Sequence, residues 1–251
     1  MIKEKYEQQY KLKVADYICY DYLAPHGVLD IFQDIAGLHS NTYNMSYEEM
    51  LKDNKIWVLC RVKYKVIKPI GLYANINVTT YPKVKGLVDF DRETIISNNG
   101  EDCIIGISKW LVIDATTRKI IPAKRIEFKG PSPKDSLFND KFEKIKDFDI
   151  TNKNHYVTKV EFCDTDHNGH CNNACYAKMV LNAINLTKQE EITDFEINFE
   201  HESYLHDTLD IYYFKEGNTY FVKALCNEKT IFLCKIVVKY VINDNLFFYF
   251  I

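Results

Sequence analysis

Eleven residues, CDTDHNGHCNN at positions 163–173, gather two carboxylates, two histidines, two thiols and three amides. Asp164, Asp166, Asn168 and Gly169 have the opening spacing of a calcium-binding loop. The twelfth position must then carry a bidentate Glu, and here it is Cys175. His167, His170, Cys171 and Cys175 are legitimate zinc ligands. Cys175, however, falls among core-facing positions of the next segment, and a free thiol is more often a small buried hydrophobe. Cys163, Cys171 and Cys175 are therefore read as packing residues. Asn172 or Asn173 suits a helix N-cap, so a simple capping turn explains part of the loop. That turn leaves the alternation Asp166, Asn168, His170 unused. Three hydrogen-bonding side chains then converge at a helix N-terminus, where backbone N–H groups can stabilise an oxyanion.

The elements around the loop must hold it. HYVTKVEFC (155–163) reads as a strand leading in, and NACYAKMVLNAINL (173–186) as a helix leading out. Ala174, Tyr176, Met179, Val180 and Ala183 lie along one side of that helix. Strand-like runs follow at 194–203, 208–217, 219–227 and 229–242, with turns at KEGN and CNEK. The first half has the same plan. A strand at 10–20 precedes a helix with Val28, Phe32, Ile35 and Leu38 at helical spacing. A short helix then comes at 46–54, and strands at 56–67, 73–84, 87–97 and 103–115, with NNG (98–100) as a hairpin turn. Laid over the second half without a gap, Cys19 falls on Cys163 and His26 on His170. Tyr22 and Ala24 occupy the places of Asp166 and Asn168, so one active site per chain is expected. His26 and His39 read as turn and helix-surface histidines, and Trp57 and Trp110 as core.

A proline- and charge-rich linker divides the repeats, giving modules 1–130 and 151–251 joined by 131–150. One helix followed by a meander predicts a curved sheet wrapped around the helix. Two such units form an internal pseudo-dimer by pairing sheet edges. That removes the need for a partner chain and leaves homodimerisation open.

Composition sets broad limits. The 251 residues are 47% hydrophobic and 27% charged, as in an ordinary globular chain. A net charge of −3 gives no general attraction for nucleic acid. The charged opening MIKEKYEQQYKLK lacks the apolar stretch of a signal peptide. No apolar run approaches the roughly 20 residues of a membrane helix, and LFFYFI (246–251) reads as a terminal strand. Eight cysteines without a CxxC pair fit reduced thiols, so a cytoplasmic location is expected.

DTDHNGHCNNACYAK (164–178) resembles the D-x-N-x-H-x-N-N-x-x-Y signature of the fatty acyl-acyl carrier protein (ACP) thioesterases. Asp166, Asn168, His170, Asn172, Asn173 and Tyr176 carry the match. QDIAGLHS, WVLCRVKYKVIKP (57–69), VTTYP and SKWLVIDATTRKII (108–121) are similar to the family's first-module pattern. The resemblance implies an α+β fold of two tandem hotdog modules, each an antiparallel sheet around a long helix. It also implies hydrolysis of the thioester between a fatty acyl chain and the phosphopantetheine arm of ACP, with no metal or organic cofactor. It assigns Asp166, Asn168 and His170 to the catalytic set, and Glu200 matches the family's strand carboxylate.

The chemistry is coherent. Glu200 or His170 can take a proton from water. Asn168 and the helix amides can polarise the thioester oxygen. Asp166 can orient its neighbours. The thiol leaves at a pKa of about 8.5 without a strong acid. Some family members carry a cysteine after the strand glutamate. Here that residue is His201, which excludes a cysteine nucleophile there and favours attack by water. The basic run Arg118, Lys119, Lys124, Arg125 and Lys129 is a candidate docking surface for the acidic carrier. An acyl-CoA hydrolase and a non-catalytic acyl-binding hotdog module are the alternatives.

Overall fold

The computed structural model describes residues 4–18, 22–133, 136–138, 142 and 144–241. Cys19 and the strand expected at 246–251 lie outside them. The first half runs β1 (Tyr6–Lys11), β2 (Tyr17–Ile18), β3 (Tyr22–Leu23), α1 (Pro25–Asn41), α2 (Tyr47–Lys52), β4 (Lys55–Val66), β5 (Asn75–Pro82), β6 (Phe90–Asn98), β7 (Glu101–Asp114) and β8 (Ile120–Ile121). The second runs β9 (Asn154–Lys159), α3 (Asn173–Ile184), β10 (Glu190–Phe199), β11 (Thr208–Glu216), β12 (Thr219–Cys226) and β13 (Lys229–Tyr240). This is the expected α+β, double-hotdog architecture, one long helix and one meander per half.

Local chemistry explains most boundaries. Pro25 opens α1, where its fixed φ suits a first turn and its missing N–H costs nothing. Val28, Phe32 and Ile35 bury the expected stripe. Its fourth member does not: Leu38 is 39% exposed, whereas the expected surface residue His39 is fully buried. The reason is polar. Arg92 Nη1 donates to His39 Nδ1 at 3.1 Å, and Tyr6 stacks on the imidazole at 5.5 Å. In α3 the Asn172 side chain accepts the Ala174 N–H at 2.9 Å, and the helix face read from the sequence is buried. The hairpin at Asn99–Gly100 has φ of 52° and 79°, the left-handed pair that a tight two-residue turn demands.

The first strand departs from expectation. It spans Tyr6–Lys11, and Val14–Asp16 form a 3-10 turn instead of continuing it. The Asp16 carboxylate accepts the Lys13 N–H at 2.6 Å, a local bond that competes with strand pairing. Val14 is consequently exposed.

The two meanders form one continuous sheet, ordered β1-β5-β6-β7-β4-β10-β13-β12-β11-β9, with β8 beside β7. The joint is the antiparallel pair β4–β10, where Tyr64 faces Phe195 and Val62 faces Ile197. The rings of Tyr64 and Phe195 stack at 5.3 Å, and α1 packs against α3 beneath them. One core therefore spans both halves. Gly106 on β7 lets α1 approach closely, since a Cβ there would meet the buried Phe32 ring at 2.2 Å. Described residues of the linker are fastened to the sheet. Leu137 N–H reaches Glu93, Arg61 reaches the Phe142 carbonyl, Lys223 pairs with Asp147, and Phe148 packs edge-on to Phe214.

Candidate active site

Asp166 builds the loop. Its carboxylate Oδ1 accepts the backbone N–H of Asn168 at 2.8 Å and of His170 at 3.3 Å, while its own N–H donates to the His170 carbonyl at 2.8 Å. The turn that results, with Gly169 at φ 77°, projects Asn168 and His170 just before α3. The next residues are equally tied down. Cys171 N–H donates to the Ser203 carbonyl at 2.9 Å, and Asn172 N–H to the Asp164 carbonyl at 2.8 Å. Tyr176 Oη from α3 accepts the Ser203 N–H at 3.1 Å. These bonds narrow the expected oxyanion donors. The amides of residues 168–172, 174 and 175 are engaged locally, so among the described bonds only Asn173 leaves a free N–H at the helix start.

Asp166, Asn168, His170 and Glu200 line a single cavity of about 810 Å³ between the two halves. Trp57, Phe90 and Trp110 of the first half supply apolar wall. Glu200 follows β10, and its Oε2 accepts from Lys144 of the linker at 2.8 Å. The amides of Glu200 and His201 both point to the Ile231 carbonyl, at 2.8 and 3.3 Å. Two successive amides on one carbonyl interrupt the strand's alternation as a bulge does. Beyond it, Glu202 lies nearest the imidazole, with Oε1 3.6 Å from His170 Nδ1. His201, unexplained by its sequence position, bonds through Nδ1 to the Thr230 carbonyl at 2.7 Å.

Three neighbours of the site were not read from the sequence. Tyr47 on α2 donates from its hydroxyl to Asn168 Oδ1 at 2.8 Å, and its ring meets His167 edge-on at 5.2 Å. Arg118 pairs with Glu202, although its place in the basic run suggested a surface role. Glu202 lies within the strand-like run 194–203, where nothing in the sequence singles it out. What marks it out is its partner Arg118, 84 residues away, which a local sequence pattern does not carry.

The cysteines divide. Burial pushes the Cys171 thiol up to about 12 and the Cys175 thiol to about 11, so both stay protonated core residues. Cys163, expected in packing, is exposed in the 3-10 turn Phe162–Asp164, which buries none of its residues. Among the described residues, no three His, Cys, Asp or Glu side chains could hold a metal ion. None of the described helices is long and apolar enough to cross a membrane.

Sequence comparison decides the family. The acyl-ACP thioesterase N-terminal domain matches residues 3–125, and the acyl-ACP thioesterase C-terminal domain matches residues 147–241. The chain belongs to the acyl-ACP thioesterase family. It is thus a thioester hydrolase. Similar solved structures include an acyl-ACP thioesterase from Bacteroides thetaiotaomicron, with TM-score 0.85 and 20% identity over 94% of this chain and 98% of that one. The 12:0-ACP thioesterase from Umbellularia californica gives TM-score 0.85 and 13% identity over 96% and 99%. An oleoyl thioesterase (putative) from Lactobacillus plantarum gives 0.78 and 14% over 94% and 95%. At these identities the likeness is one of fold. No curated protein matches the chain in sequence.

Proposed function

We propose that this thioesterase releases free fatty acid from acyl-ACP at the cavity lined by Asp166, Asn168, His170 and Glu200. The observation that carries the reading is their convergence on one space that is also walled by the apolar side chains of Trp57, Phe90 and Trp110. Residues 1–130 bind the acyl chain, residues 151–251 supply the catalytic loop, and 131–150 connect them. The thioester carbonyl lies against Asn168, whose Oδ1 is held by Tyr47 and whose Nδ2 is left to donate. With the Asn173 N–H it stabilises the oxyanion. Water between His170 and Glu200 gives a proton to His170 Nε2, and its oxygen bonds to the carbonyl carbon. Collapse of the oxyanion breaks the carbon–sulfur bond, and His170 Nε2 returns its proton to the departing sulfur, yielding the acid and the phosphopantetheine thiol. Lys144 holds Glu200 in place through Oε2 at 2.8 Å. Lys119, Lys124, Arg125 and Lys129 are exposed on and beyond the segment that carries the cavity residue Arg118, which suits docking of an acidic carrier.

The test is thioester hydrolysis over a range of acyl lengths by the native enzyme, His170→Ala and Glu200→Ala. Each variant is expected to lose about 100-fold or more in kcat. Native turnover in both would sink the assignment. The same acyl chain offered on ACP and on CoA distinguishes the carrier, and faster hydrolysis of the CoA thioester would point to an acyl-CoA hydrolase.

A further inference from the structure

Arg118 is placed with unusual care for a surface arginine. Asp114, at the end of β7, accepts the N–H of Thr116 at 3.1 Å and of Thr117 at 2.7 Å, the Thr117 hydroxyl at 2.9 Å, and Asn54 Nδ2 at 2.9 Å. The Thr117 amide and hydroxyl hold that carboxyl below the usual range. The turn that results puts Arg118 at φ 59°, a left-handed conformation that a non-glycine residue adopts only under strain. A turn so determined presents its guanidinium in one direction, and that direction is Glu202 of the other module.

Glu202 is held from three sides. Arg118 engages Oε1, the Tyr204 hydroxyl approaches Oε2 at 3.4 Å, and Oε1 lies 3.6 Å from His170 Nδ1. His170 and Tyr204 also form a β-bridge, and their rings meet edge-on at 5.1 Å. The Nδ1 side of the imidazole therefore faces a fixed carboxylate, which turns Nε2 toward the cavity.

We propose that Glu202 is the positioning residue for His170, and that Arg118 of the first module sets it. The inference rests on His170 being the base in the function proposed above. Glu202 stabilises the imidazolium that forms when His170 takes the proton of water. Arg118 limits that stabilisation by neutralising part of the carboxylate charge, so the base is tuned by a pair of opposite charges from two modules. The other groups about His170 are Asp166 on its own loop, the Tyr204 ring, and Glu200 and His201 across the cavity. Lys144 pairs with Glu200.

The experiment is the pH dependence of kcat on one acyl-ACP substrate for the native enzyme, Glu202→Gln, Arg118→Met, the double variant and His170→Ala. Thermal melting of each checks that it is folded. Glu202→Gln removes the negative partner and leaves Arg118 unopposed, so the acidic limb moves to lower pH by about half a unit or more. Its kcat at the native optimum falls about 10-fold with KM within about twofold. Arg118→Met leaves the carboxylate unopposed and moves the limb to higher pH. The double variant returns toward native. Limbs that stay put, or that move in the same direction in both single variants, overturn the proposal. If His170→Ala is inactive while the other variants keep the native profile, only this inference fails. If His170→Ala turns over normally, the proposed function fails with it.

Discussion

Asn168 shows how much one hydroxyl can decide. A side-chain amide is useful at an oxyanion only with its nitrogen end forward, and Tyr47 fixes the choice by donating to Oδ1. Tyr47→Phe is expected to lower kcat about 3- to 10-fold with KM nearly unchanged, because only transition-state stabilisation is lost. In an Asn168→Ala background the same change should have no further effect, which steady-state kinetics on the four proteins would check. Asp166, Asn168 and His170 were legible in the sequence because five residues contain all three and the bonds that order them are local. Tyr47 was not, since 121 residues separate it from Asn168. His39 was misjudged for a related reason. Nothing near it in the chain announces Arg92, whose guanidinium reaches it from β6 and makes its burial tolerable.

At the scale of elements, period and turn chemistry carried the reading well for α1, α3 and the meanders, because burial on one face leaves its mark every second or every three to four residues. They failed where a side chain captured the backbone, as Asp16 does in turning Val14–Asp16 away from strand geometry. They also could not tell which carboxylate after β10 meets the imidazole, because Glu202 is set there with Arg118, 84 residues away. The approach of α1 to the sheet yields a stability prediction. Gly106→Ala places a methyl group inside the Phe32 ring, and that ring is too well packed to retreat. The variant should lose about 1–3 kcal/mol. Calorimetry should show a Tm lower by a few degrees, and a native Tm would mean that α1 lies farther out.

For the whole molecule, acid sensitivity should be concentrated at the end of the sheet remote from the loop. Desolvation pushes the buried Glu190 carboxyl up, but bonds from Lys215, the Thr187 N–H and hydroxyl, and Tyr220 outweigh it and bring its pKa down to about 2. A depressed carboxyl stabilises the fold above its ordinary value of 4.5 and stops doing so as pH falls toward 2. Chemical denaturation of native enzyme and Glu190→Gln should therefore differ most at neutral pH and converge as pH falls from about 4.5 to about 2. A constant difference across that interval would show that Glu190 is not the group concerned. The β4–β10 joint has a further consequence. Two separate curved sheets would present four open margins to other chains, whereas, among the described residues, the joined sheet runs from β1 at one margin to β9 at the other. Those two strands carry mostly exposed side chains, among them Glu7, Gln8, Gln9, Lys11, His155 and Lys159. Charged and amide-bearing margins are poor templates for another strand. Joining the halves edge to edge, which sets one cavity between them, thus also leaves the described sheet with few places at which aggregation can begin.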